Sequence, residues 1–431
     1  MSTFDKIIGY GEIKQELIRI ADTLKNWEIY KSLGAASPRG LLLYGEPGVG
    51  KSLMAKCLME ASGREVFACR KTEPDGEFVK TIKETFDRAA EHEPSIVFLD
   101  DMDKFANDDE GHRDSEEFVT VQSCIDEVKG REVFVLATAN AIHKLPRSLV
   151  RAGRFDRRIE VDTPDAEDAK RIIGHYLAQK KLTGDLDYAA IAAILSGRSC
   201  ASLETVINEA ALLAGYQRAE HVTMDHIMEA SLRIVHGIPH GSHIPVDLNV
   251  DGDMARSVYH EAGHAVVSEL FSPGSASLVI AWCGAGGKNT GVTTTKNSND
   301  LWGLNRCERD IMVCLAGRAA IELRFGAFDT GSARDLDDAF DTVMHLVQNL
   351  CYSGFDLYSY RHREDSQTLS GRQETAIAAT VEQYYRRVKE LLNSSRDFLE
   401  ATAHALAEKG VLTAADIQAI RKNCSASESV A

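Results

Sequence analysis

The chain has 431 residues, 44% hydrophobic and 26% charged, the composition of a soluble globular protein long enough for two or three domains. Its formal net charge of −16, from 65 acidic against 49 basic residues, excludes a broad nucleic-acid footprint and a polybasic membrane patch, since both need surplus Lys and Arg. No stretch reaches the roughly 18–20 continuous apolar residues that cross a bilayer, and Met1–Lys6 lacks a secretory pattern. The nine cysteines include no Cys-x-x-Cys pair, so reduced thiols and a cytoplasmic setting are expected.

Short apolar runs at Gly40–Tyr44, Val66–Cys69, Ile96–Leu99 and Val133–Thr138 alternate with amphipathic stretches across residues 1–165. Runs of this kind suit a parallel sheet covered on both faces, which makes the first segment α/β. Residues 166–235 read as all-helical, and 236–252, rich in Gly, Pro and His, as a linker. Residues 253–422 form a second, mainly helical domain interrupted by a hairpin over Ser277–Thr295, and 423–431 form a flexible tail.

Gly45-Glu46-Pro47-Gly48-Val49-Gly50-Lys51-Ser52 follows a predicted strand and opens a predicted helix, the context in which G-x-x-x-x-G-K-S cradles phosphates. Glycines let backbone N–H groups turn inward, Lys51 supplies a point charge for the β- and γ-phosphates, and the Ser52 hydroxyl suits Mg²⁺. The Ile96–Leu99 strand ends in Asp100-Asp101, and Asp100 at that edge suits the Mg²⁺ shell. The next strand ends near Asn140, and Arg151 and Arg154 follow beside a Gly turn.

These motifs, with Phe4-Asp5-Lys6-Ile7-Ile8-Gly9 before them, fall in the order of an AAA+ ATPase module, which the chain resembles. The resemblance implies that Asn140 positions the attacking water. It makes Arg151 and Arg154 fingers for ATP held by a neighbouring subunit, hence a ring, normally a hexamer. It also brings Ile8, Gly9, Leu53 and the His175 ring to the nucleotide, with residues 166–235 as the helical lid.

His260-Glu261-Ala262-Gly263-His264 is an H-E-x-x-H motif in a helical pattern. Residues four apart share a helix face, so both imidazoles can hold one Zn²⁺, with Glu261 beside them as a proton acceptor for water. A third protein ligand is needed, and spacing leaves Asp310, Glu322, Asp329, Asp335, Asp337 and Asp338 open.

The H-E-x-x-H motif, Leu315-Ala316-Gly317-Arg318-Ala319-Ala320 and Thr330-Gly331-Ser332-Ala333-Arg334-Asp335-Leu336 together resemble the FtsH-type AAA+ zinc proteases. That likeness covers roughly residues 3–421 and implies Asp335 as the third zinc ligand. It also makes Gly291–Thr295 an edge strand to which peptide substrate adds. The implied fold is an α/β AAA+ P-loop ATPase with helical lid followed by a mainly α-helical zinc metalloprotease domain. The implied cofactors are Zn²⁺, ATP and Mg²⁺, and the partners are protein or peptide substrates and further copies of the chain.

Three departures stand out. The membrane helices that precede the ATPase module in that family are not in this chain, so a soluble relative or a piece lacking its anchor is expected. Asp101 stands where the family has Glu, one methylene longer, so slow ATP hydrolysis is expected. The stretch 70–77, where the family grips substrate with an aromatic, has none, and Phe78 reads as a core anchor for its helix. The expected activity is an ATP-dependent zinc endopeptidase. The alternative is a nucleotide-assembled ring with weak ATPase, acting as a non-processive peptidase or as a remodelling scaffold.

Overall fold

The computed structural model describes residues 2–71, 78–106, 115–150, 153–181, 186–238, 243–283, 289–295, 304–327, 331–350, 352 and 367–428. The chain divides into two compact units, Met1–Ala230 and Ser231–Ala431.

In the first unit, α1 (Gly11–Lys25) and α2 (Trp27–Ser32) precede β1 (Gly40–Tyr44), and α3 (Lys51–Ser62) leads to β2 (Glu65–Cys69). α4 (Phe78–Glu91), β3 (Ser95–Leu99), α5 (Ser115–Glu127), β4 (Val133–Ala139) and β5 (Arg157–Glu160) complete an all-parallel sheet of order β2-β3-β4-β1-β5. β3 and β4 are buried along their whole length, because helices cover both faces and every side chain there is apolar or small. β5 has no counterpart among the expected strands. Its sequence Arg157-Arg158-Ile159-Glu160 is polar because it sits at the sheet edge, paired to β1 alone.

Register then sets the chemistry. Tyr44 pairs with Ala139 and Leu99 with Ala137, so the chain leaves β1, β3 and β4 at one sheet edge, bringing Gly45, Asp100 and Asn140 together. Phe78 is fully buried, its ring 5.1 Å from that of Phe105, as a core anchor should be. The helices α6 (Ala166–Leu177), α7 (Tyr188–Ile194) and α8 (Cys200–Tyr216) follow, each started by a side-chain cap, from Asp165, Asp187 and Ser199. The division between units falls within α9 (Met224–His236).

The second unit is built on α10 (Asp253–Phe271), packed against α11 (Leu304–Phe325) through small residues. A Cβ on Gly263 would lie 2.6 Å from the Ala316 carbonyl oxygen, so the two backbones approach where only glycine fits. An antiparallel sheet of order β7-β6-β8 covers α10, from β6 (Ala276–Cys283), β7 (Asn289–Thr295) and β8 (Val411–Thr413). α12 (Ala333–Asn349), α13 (Gln367–Ser394), α14 (Arg396–Lys409) and α15 (Ala414–Glu428) close a core that includes Tyr259, Val266, Leu315, Val343, Tyr384 and Leu406. The Thr413 and Asp416 side chains cap α15 reciprocally, as their spacing predicts. No helix among the described residues is long and apolar enough to cross a membrane.

Candidate active site

The phosphate loop turns between β1 and α3, with Gly45 at φ +148° and Gly50 at +103°. A Cβ on Gly45 would meet the Val161 carbonyl oxygen at 2.1 Å, so no other residue fits there. Lys51 is buried and donates to the carbonyls of Gly45 and Glu46, each at 2.7 Å, and to Asn140 Oδ1 at 2.9 Å. Burial lowers its pKa, opposed by Asp101, Asp103 and Asp100 around it. Ser52 follows on the first turn of α3, solvent-exposed.

Thr138 fixes the acidic pair. Its hydroxyl donates to Asp100 Oδ1 and accepts from the Asp101 N–H, both at 2.9 Å. Asp101 adopts a left-handed backbone (φ 54°, ψ 50°), a conformation Asp tolerates better than longer side chains do. One of its oxygens takes Lys104 Nζ at 2.6 Å, and the other faces Asn140 Nδ2 at 3.4 Å. The Asn140 N–H donates to Asp103 Oδ1 at 3.0 Å.

Beside this edge a cavity of about 190 Å³ is walled by Ile8, Val49, Gly50, Leu53 and His175, with Tyr10 and Cys200. A Cβ on Gly9 would strike the Asp168 carboxyl at 2.8 Å, and Asp168 accepts the next N–H, from Tyr10. This cleft brings Ile8, Leu53 and His175 together with Val49 and Gly50 of the Gly45–Ser52 loop.

The two arginines behave differently. Arg151 lies outside the described residues. Arg154 is not presented outward as the finger reading expected: only 3% exposed, it forks onto both Asp126 oxygens (3.2 and 2.6 Å) and donates to the Ser148 carbonyl. A guanidinium committed to three internal acceptors is a strut for its own loop in this conformation.

In the second unit, His260, Glu261 and His264 lie along α10 and Asp335 in the first turn of α12. His264 Nε2 lies 3.1 Å from His260 Nε2, and Asp335 Oδ2 lies 3.0 Å from His260 Nε2 and 3.4 Å from His264 Nε2. His264 Nδ1 donates to the Val313 carbonyl at 2.7 Å, which leaves its Nε2 lone pair directed at this convergence. Burial opposes ionisation of Asp335, yet the two imidazoles hold its carboxyl well below the usual range.

These donors fit zinc. A tetrahedral ion with bonds of about 2.0–2.1 Å holds its ligand atoms roughly 3.3 Å apart, and here an N,N,O set is spaced at 3.0–3.4 Å. Gly317 keeps the cluster open, since a Cβ there would lie 2.5 Å from His260 Nδ1 and 2.7 Å from His264 Nε2. Among the candidates left open by spacing, only Asp335 reaches the histidines within the described residues; Asp329 lies outside them. Asp310 instead contacts Arg306 and Arg309, and Glu322 binds Lys389 and Tyr385.

Glu261 is buried beside the cluster, and burial pushes its carboxyl up against the pull of His264, His260 and Thr293. Thr293 on β7 donates to Glu261 Oε2 at 2.7 Å, and a Cβ on Gly291 would lie 2.7 Å from Glu261 Oε1.

Two family models match this architecture: the ATPase family associated with various cellular activities (AAA) over residues 41–163, and peptidase family M41 over residues 253–420. The Thermus thermophilus protein "ATP-dependent zinc metalloprotease FtsH" is 31% identical over 97% of this chain and 70% of its own length. The chain belongs to the FtsH family of ATP-dependent zinc metalloproteases. The Ureaplasma parvum FtsH is also 31% identical, over 94% of this chain, which spans 58% of that relative's length. The Arabidopsis thaliana "ATP-dependent zinc metalloprotease FTSH 11, chloroplastic/mitochondrial" is 31% identical over 97% of this chain and 53% of its own. Membership brings zinc, ATP and Mg²⁺ as cofactors, and protein as the substrate class.

Several residues at these FtsH-type sites carry no signal in sequence beyond their neighbours. Thr138, Asp103 and Cys200 sit within strands, turns and caps whose pattern predicts structure alone. Gly317 and Thr293 lie inside recognisable segments, but only the fold shows which side chains they touch.

Proposed function

We propose that this chain is an endopeptidase whose cutting centre is His260, His264, Asp335 and Glu261, served by an ATPase site on the sheet edge of the first unit. The observation that carries this reading is the convergence of two imidazole nitrogens and one carboxylate oxygen beside a buried glutamate that an edge strand holds. His260, His264 and Asp335 would hold the metal, and zinc supplies Lewis acidity toward the scissile carbonyl and the attacking water. Glu261 takes the proton of that water and returns it to the leaving amine. Thr293 holds the carboxylate in place, and β7, at the sheet edge, accepts the peptide as an added strand.

In the first unit, Lys51 and Ser52 attend the phosphates and Mg²⁺, Asp100 completes the metal shell, and Asn140 positions water with Asp101 as the base. A ring of identical subunits, normally six, supplies Arg151 to a neighbour's nucleotide. The cysteines among the described residues are free thiols, which fits a cytoplasmic setting.

A second reading has its own observation. Asp101, already short, is paired to Lys104 at 2.6 Å, which favours slow turnover and a ring that nucleotide assembles more than it drives. The test is cleavage of casein by the zinc-loaded chain beside its Glu261→Gln variant. Fragments from the parent alone support the peptidase; casein left intact by a chain holding one zinc per subunit overturns it.

A further inference from the structure

Asp168, Ile172 and His175 recur at i, i+4 and i+7 on α6, so they share one face of that helix. Ile172 and His175 line the cleft beside the phosphate loop, and Ile7, Ile8 and Tyr10 line it too. Asp168 joins the two sets. Its Oδ2 accepts the Tyr10 N–H at 2.7 Å, and Gly9 passes so close that a Cβ would lie 2.8 Å from its carboxyl carbon. The other oxygen, Oδ1, faces the exposed Arg171 at 3.8 Å.

Gly9 and Tyr10 both hold positive φ, +75° and 52°, a conformation a tyrosine keeps only where its surroundings fix it. Besides the bond to Asp168, the Tyr10 hydroxyl donates to the Asp162 carbonyl at 2.9 Å and lies 3.4 Å from Cys200 Sγ, at the start of α8. α8 also reaches the phosphate loop, where the Ala201 N–H donates to the Gly48 carbonyl at 3.0 Å. The helices after β5 therefore grip the cleft at two places, residues 9–10 through α6 and the phosphate loop through α8. Tyr10 and Asp168 are 158 residues apart in sequence, so their bond closes a cleft whose walls come from distant segments. A site whose walls are already held together loses less free energy to ordering when a ligand enters.

Resting on the ATPase reading above, we infer that Asp168 is a positioning residue for nucleotide binding. Its carboxylate holds residues 8–10 against α6 and keeps the cleft in the shape that ATP and ADP enter. It acts on affinity, not on the hydrolytic step.

Titration of the full chain with a fluorescent ADP analogue tests this. Asp168→Ala should weaken Kd about tenfold, the size of one charge-assisted hydrogen bond, and raise KM for ATP with kcat little changed. Asp168→Asn, whose amide oxygen still accepts the Tyr10 N–H, should restore most of the affinity. A parental Kd in Asp168→Ala, a fall in kcat without a change in Kd, or an Asn variant no better than Ala overturns the assignment. Hydrogen exchange on the parent chain decides the matter even where Asp168→Ala does not fold. With ADP bound, the amides of residues 8–10 and of α6 should slow together; slowing confined to the phosphate loop contradicts the assignment. A parent chain that binds no nucleotide would instead remove the ATPase reading, and the role of Asp168 with it.

Discussion

Thr293 Oγ1 reaches across from the edge strand to Glu261 Oε2 at 2.7 Å, so the strand proposed to template the peptide also holds the proposed base. Losing the donor leaves the carboxylate free to turn without altering the strand's pairing. Thr293→Val, nearly isosteric, should lower kcat about tenfold with KM little changed, and Thr293→Ser should restore most of it. Steady-state peptide cleavage separates the two constants. An equal loss in Thr293→Ser would show that packing, not the hydroxyl, matters.

Gly317 is where the zinc cluster tolerates no side chain, because a Cβ would lie 2.5 Å from His260 Nδ1. Gly317→Ala should displace the imidazole and reduce zinc affinity at least tenfold. Metal content after dialysis against a weak chelator, read beside an unchanged far-ultraviolet spectrum, checks this. Full zinc retention would contradict it.

Lys104 competes for Asp101 at 2.6 Å, and Lys104 is mostly exposed, so its removal should not disturb the fold. Lys104→Ala is expected to raise ATP turnover severalfold, while the same change in an Asp101→Asn background has no effect. Asp101→Glu should also change the rate, since a shift of about 1 Å at a reacting group alters rates up to a hundredfold. Phosphate release assays decide; an unchanged rate in both single variants would show that Asp101 does not limit hydrolysis.

Arg154 is buried and bound to Asp126 and Ser148, so Arg154→Ala removes a strut and strands polar partners. Because Asp126 remains half exposed, the expected loss is about 2 kcal/mol, below that of a fully buried pair. A drop of several degrees in the melting temperature of the first unit would follow. An unaltered Tm with lost ATPase would return Arg154 to the finger role.

Both catalytic motifs were legible because their residues are neighbours in the chain. G-x-x-x-x-G-K-S needs a strand before it and a helix after it, and H-E-x-x-H needs one helix face; local pattern supplies both. Spacing alone leaves Asp335 among six acidic candidates, and only the family resemblance points to it in sequence; the contact itself appears when α12 brings its first turn to His260, since nothing in spacing encodes a contact between distant helices. The inward turn of Arg154 is likewise not legible in sequence, because the direction of a long side chain depends on Asp126, which α5 places beside it. β5 escaped notice because an edge strand needs no apolar run, and Thr293 looked like one more β-former in a Thr-rich segment. Stretch 72–77 and Arg151 lie outside the described residues, as does Thr330 of the zinc-ligand motif.

The measurement that bears most directly on the account is degradation of a stably folded protein and of casein under three conditions: ATP, no nucleotide, and an analogue that resists hydrolysis. Glu261→Gln runs alongside as the control that keeps the zinc ligands. The account predicts cleavage of both substrates with ATP and none in the control, with the folded protein spared under the analogue. Cleavage surviving in Glu261→Gln, or the folded protein consumed equally under the analogue, would contradict it.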